Sequence, residues 1–215
     1  MVAAGGLSGG LSSTIAGGNF WKGFRQGIIT SGLNHVAHLA AESLQDDRLQ
    51  TKLKKGGLKP SDTATQDSLN KLKEIFKEYW DGSAQWAEFA TEETIAQWEG
   101  NEYKGYLSLK GGMIQSDGGG DYGITNPING KVLLSTGRTN YSLADTFIHE
   151  MVHSIDVMSG VQKFWNHFPK IGHDYIESRA YMEAAKWTGG YINNTGQKHI
   201  INSLQIHLSL FNFIR

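Results

Sequence analysis

Apolar residues recur at helical spacing between residues 142 and 160. Leu143, Phe147, Met151 and Ile155 repeat at four-residue intervals, flanked by Ile148 and Val152, the stripe of a helix with a buried face. Ser142-Leu143-Ala144-Asp145 has the form of a capping box at its start, and Gly160 fits the position just past its end. A second helix is predicted from about Asp174 to the Gly189-Gly190 break, and its Ala180, Ala184 and Ala185 are small enough for close packing on the first. Upstream, Leu69, Leu72, Ile75, Phe76, Tyr79 and Trp80 recur at helical spacing between Ser61 and Gly82, and Trp86, Phe89, Ile95 and Trp98 suggest another helical piece. Lys131–Thr136 reads instead as a short strand behind the Asn129-Gly130 turn signal, placed as an edge strand above the 142–160 helix. Glu102–Lys110 and Met113–Ser116 flank Gly111-Gly112 as a hairpin, and the glycine-rich Asp117–Asp121 reads as a mobile loop. In the tail, 199–215, Leu204, Ile206, Leu208 and Leu210 alternate like a strand, whereas Ile200, Leu204, Leu208 and Phe211 fit a helix, the preferred reading. Strands followed by two packed helices make an α+β core.

Composition divides the chain. Residues 1–32 hold 9 of its 27 glycines, so residues 1–45 are expected to be a flexible linker and residues 46–215 one domain large enough to bury a core. His35-x-x-His38 lies in the linker and is too short a pattern to argue for a metal. A net charge of −1 without a basic stripe speaks against nucleic acid as a partner. With no cysteine, the fold owes nothing to disulfides and tolerates either redox compartment. No signal peptide is recognisable and no apolar run is long enough to span a membrane, so no stable membrane insertion is expected and any export address belongs to a larger protein.

The first helix carries chemistry. His149-Glu150-Met151-Val152-His153 is an H-E-x-x-H pattern. Residues i and i+4 share a helix face, so both imidazoles can reach one metal ion, and Glu150 stands about 100° further round. A catalytic Zn2+ needs a third protein ligand and one open position. Glu177, 24 residues after His153 on the second helix, is the best candidate, with Glu183 next. Asp174-x-x-Glu177 is also a capping box, which would make Glu177 a cap rather than a ligand. Asp156, seven residues after His149, is either a ligand or the partner of a ligand histidine's outer nitrogen.

His149-Glu150-x-x-His153-x-x-Asp156 followed by Glu177-x-x-Ala180-Tyr181 resembles the gluzincin metallopeptidases, in particular small bacterial toxin peptidases related to the lethal-factor type. The resemblance covers about residues 100–190. It implies a minimal zincin-like core in which His149, His153 and Glu177 bind zinc and Glu150 is the general base. It also implies a tyrosine or histidine that steadies the tetrahedral intermediate. Tyr181 is the choice, with Tyr175 and His173 near enough in sequence to compete. The glycine-rich segment Asn19–His35 and its surroundings, about residues 5–40, resemble the linker before C-terminal toxin domains of Rhs and related polymorphic toxins. That implies a domain secreted as the tail of a larger protein, delivered into a target cell and partnered by a cognate immunity protein.

The function expected is therefore zinc-dependent hydrolysis of peptide bonds in a target-cell protein. Two rivals stand beside it. One is a non-catalytic toxin, binding a target or disrupting a membrane, with a closed structural zinc site that recruits Asp156 or His173. The other is a zinc hydrolase of a different substrate, such as a peptidoglycan peptide.

Overall fold

Val132-Leu133-Leu134 shows how the chain builds its centre. All three side chains are fully buried. Successive strand residues point to opposite faces, so Val132 and Leu134 enter the main core while Leu133 enters a second cluster with Ile95, Trp98, Leu107 and Ile114. A strand covered on both faces has no need of polar alternation.

The computed structural model describes residues 48–80, 86–98, 107–116, 119–167 and 169–213. The elements are α1 (Arg48–Lys55), α2 (Gln66–Ile75), a 3-10 turn (Lys77–Tyr79), β1 (Ala87–Phe89), α3 (Glu92–Trp98), β2 (Ser108–Lys110), β3 (Met113–Ser116), β4 (Gly119–Asp121), β5 (Gly123–Thr125), β6 (Val132–Leu134), α4 (Asn140–Met158), α5 (Val161–Trp165), α6 (Pro169–Ala185) and α7 (Asn194–Phe213). The described residues are thus α+β. Asp46–Ser203 forms one compact unit, and Leu204–Arg215 falls outside it. The expected linker over 1–45 and its His35-x-x-His38 pair lie outside the described residues.

Two three-stranded sheets are present among the described residues, ordered β1-β6-β5 and β2-β3-β4. In the first, β1 runs parallel to β6, and β5 runs antiparallel to it with Gly123 opposite Leu134 and Thr125 opposite Val132. The strand expected at 131–136 exists, but it is the central strand and not the edge. Its apolar triplet belongs to a two-sided strand, and β5 takes the edge beside α4. The expected hairpin is β2–β3, turned by Gly111 and Gly112 at φ 59° and 81°. A Cβ on Gly112 would lie 2.0 Å from Thr136 Oγ1. The segment expected as a loop at 117–121 supplies β4, because Gly119–Asp121 pairs with β3. Fully buried Ser135 joins the sheets, accepting from Ile114 N at 2.9 Å and donating to the Asp121 carbonyl at 2.5 Å.

The sequence from Trp86 to Trp98 does not form the single helical piece its aromatic spacing suggests. Ala87–Phe89 is recruited as β1 alongside β6, and the helix α3 starts only at Glu92. Short apolar runs carry too little periodicity to separate the two states. Likewise α2 is shorter than 61–82: Thr65 caps it in a reciprocal capping box with Ser68, and it ends at Ile75.

The main core forms where α4 lies between β6, α1, α2 and α6. Leu49, Leu72, Phe76, Leu143, Phe147 and Met151 are all essentially inaccessible to solvent, each side chain contributing about 1.5–3 kcal/mol of burial. Ala180 and Ala184 bring α6 onto α4 in this core. The N-terminus of α4 is fully accounted for. Asn140 N donates to the Asp62 carbonyl at 2.8 Å, Tyr141 N to Pro60 at 3.0 Å, Ser142 N to Thr139 Oγ1 at 3.2 Å and Leu143 N to Thr139 at 2.8 Å. Thr139 is therefore the N-cap, three residues before the expected Ser142, which instead accepts from Arg138. At the other end Gly160 sits past the helix at φ 77°, as its position predicts.

Candidate metal centre

His149 and His153 occupy successive turns of α4, and their Nε2 atoms lie 3.1 Å apart. Glu177 reaches them from α6, with Oε2 3.4 Å from His149 Nε2 and Oε1 3.4 Å from His153 Nε2. Imidazole nitrogens that close repel unless a proton or a cation sits with them. Ligands at the corners of a tetrahedron around zinc, with bonds of about 2.0–2.1 Å, stand about 3.3–3.4 Å from one another. The two histidine–glutamate separations match that edge and the histidine–histidine one is slightly shorter, so the group could hold a metal ion. Among the described residues this is the only group of three or more His, Cys, Asp or Glu side chains placed to hold a metal.

Helix geometry explains the convergence. The i, i+4 spacing sets the histidine rings one above the other, centroids 4.8 Å apart. Ala180 and Ala184 let α6 approach, and Glu177 stands one turn before Ala180 on the same side. Asp174 and Glu177 do not cap α6: the helix starts at Pro169, leaving both residues in its interior. Asp174 accepts instead from His199 Nδ1 on α7 at 2.7 Å.

The three side chains are strongly coupled electrostatically. Burial disfavours the Glu177 carboxylate, but hydrogen bonds and charge from His149 and His153 outweigh it and hold its pKa far below the ordinary range. Burial also works against a charged His153, yet Glu177, Glu150 and Asp156 together keep its pKa above the ordinary value.

Glu150 is 7% exposed and lies at the edge of this group. Its Oε2 accepts from Thr125 Oγ1 at 2.8 Å. Tyr181, from α6, sets its ring edge-on to His149 with centroids 4.5 Å apart, and its hydroxyl shares a hydrogen bond with the Asn193 side chain. Burial and the nearby Glu177 charge raise the pKa of that phenol, keeping it a proton donor. His149, Glu150, His153, Glu177 and Tyr181 all line one cavity of about 1300 Å3, bounded by β5, α4, α6 and the segment after Thr188.

Asp156, Glu183 and Tyr175 are engaged elsewhere. Asp156 is fully buried and pairs with Arg179, so it ties α4 to α6. Glu183 pairs with Lys186. Tyr175 packs on Trp165, rings 4.2 Å apart, and does not line the cavity, whereas the exposed His173 does. Thr125, Asn193 and Arg179 belong to the surroundings of the site and carry no motif. They meet it across 25, 12 and 23 residues from Glu150, Tyr181 and Asp156, separations that no local pattern encodes.

No protein-family profile, curated protein or solved structure matches the chain.

Proposed function

We propose that this domain is a zinc-dependent peptidase and the toxic part of a larger exported protein. The observation that carries the reading is the His149, His153 and Glu177 group standing beside Glu150 at one cavity wall. A closed structural zinc site takes four protein ligands, whereas a catalytic one keeps a position for water. Among the described residues no fourth ligand joins the three, and Asp156 is taken by Arg179. This favours the open, catalytic alternative.

When bound, zinc polarises a carbonyl and lowers the pKa of water toward neutrality. The remaining work falls to side chains and backbone. Glu150 accepts the proton of the attacking water and returns it to the leaving amine. Tyr181 donates to the developing oxyanion. The outer edge of β5 has no partner strand among the described residues, so an extended peptide can pair there by strand addition. The resemblance of residues 5–40 to pre-toxin linkers supports secretion as part of a larger protein, delivery into a target cell, a target protein or peptide as substrate, and a cognate immunity protein as partner. No helix among the described residues is long and apolar enough to cross a membrane.

The test uses the full chain. It should hold close to one zinc per molecule by elemental analysis and cleave an internally quenched peptide library. Glu150→Gln should keep the zinc and lose about 10²–10⁴-fold in turnover, the share of a general base. A chain that takes up no zinc from excess metal, or full turnover in Glu150→Gln, overturns the proposal.

A further inference from the structure

We infer that Thr125 is a positioning residue for Glu150, an inference that rests on the peptidase reading above. A glutamate used as a base has three side-chain torsions to immobilise, and misplacing the reacting group costs rate directly. Among the described residues the Thr125 hydroxyl is the only hydrogen-bond donor on the Glu150 carboxylate, at 2.8 Å from Oε2. Glu150 itself lines the cavity together with His149, His153 and Glu177.

The strand enforces this contact. Residues 123 and 125 share one face of β5 and Ile124 takes the other, packing against the second apolar cluster. Gly123 therefore lies against the stem of the same glutamate. A Cβ there would stand 2.7 Å from Glu150 Cγ and 2.8 Å from Thr146 Cγ2. Absence of a side chain at 123 and a short hydroxyl at 125 together form a clamp, the first letting the strand approach and the second orienting the carboxylate. The hydroxyl has a single proton and a second acceptor, the Glu150 carbonyl at 3.0 Å. It can bond the charged carboxylate before proton uptake and turn to the carbonyl afterwards, so it is never stranded unpaired.

The test compares full-length wild type with Thr125→Ser and the near-isosteric Thr125→Val. In crystal structures Glu150 should hold one conformer in wild type and Thr125→Ser, with Oε2 on the residue-125 hydroxyl, and leave that position in Thr125→Val. On the quenched peptide library, kcat in Thr125→Val should fall about 10–100-fold, the loss of one hydrogen bond to a charged group, while KM and zinc content stay at wild-type values. Thr125→Ser should restore kcat. Gly123→Ala, which displaces the glutamate with the hydroxyl still present, should lower kcat in the same way. An unmoved Glu150 in Thr125→Val, or equal kcat in the Ser and Val variants, overturns the inference. If wild type cleaves no peptide the peptidase reading fails, and the comparison of conformers still decides what Thr125 does.

Discussion

Replacing Arg179 with methionine removes the counter-charge of a carboxylate that has no access to water. Asp156 is fully buried, pairs with the Arg179 guanidinium through Oδ1, and has no hydrogen-bond partner at Oδ2. Breaking a buried ion pair from one side costs about 3–5 kcal/mol, because a charge is left uncompensated. The Arg179 side chain is 35% exposed, and solvent already screens the pair, so the expected cost is nearer 2–3 kcal/mol. For a chain of this size that lowers Tm by about 4–12 °C. The pH dependence has a definite sign. Burial raises the pKa of Asp156 against the pull of Arg179 and His153, and loss of Arg179 raises it further. An acid with a raised folded-state value destabilises the fold at neutral pH, and this penalty shrinks as pH falls through that value toward the unfolded one near 4. Urea unfolding of the metal-free full chain at pH 7 and pH 5 should show the larger deficit at pH 7, and adding Asp156→Asn to Arg179→Met should recover most of it. A cost under about 0.5 kcal/mol at pH 7, the range of ordinary surface changes, or a deficit that does not shrink on acidification, refutes the reasoning.

Glu177→Ala should weaken zinc binding by at least about 100-fold in a competition titration, more than the 10–100-fold typical of outer-shell partners. Wild-type affinity in that variant would show that the carboxylate is not a ligand. The metal-free protein should be most stable at intermediate pH. The raised His153 value gives stability that is full below about 6.5 and lost as pH rises through it, while the depressed Glu177 value gives stability present above about 4.3 and lost at low pH. Zinc binding displaces the His153 proton, so saturating zinc should raise Tm more at pH 8 than at pH 6, and equal shifts at the two pH values would contradict this.

Much of the candidate site was legible before any fold was known. His149, Glu150 and His153 are brought together by the helical repeat alone, a spacing of one turn that any α-helix through 140–158 reproduces. Glu177 was legible as the best of three carboxylates, ahead of Glu183 and Asp156. The choice between Glu177 and Glu183 depends on which side of α6 faces α4, a matter of packing through Ala180 and Ala184, and Asp156 is removed by its pairing with Arg179. The end of α4 at Gly160 was readable because a left-handed residue is a local requirement. Its start was not, because Thr139 is fixed as cap by carbonyls from residues 60–62, far back in the chain. The strand at 132–134 was recognisable, but its place at the centre of the sheet was not: β1, read as helical, and β5 both join it from outside the local window. Thr125 and Gly123 show the same division most clearly. Their residue types announce nothing, and they matter because β5 crosses α4 at Glu150. Local spacing determines what one helix presents on one face, and only tertiary packing decides which distant groups are pressed against it.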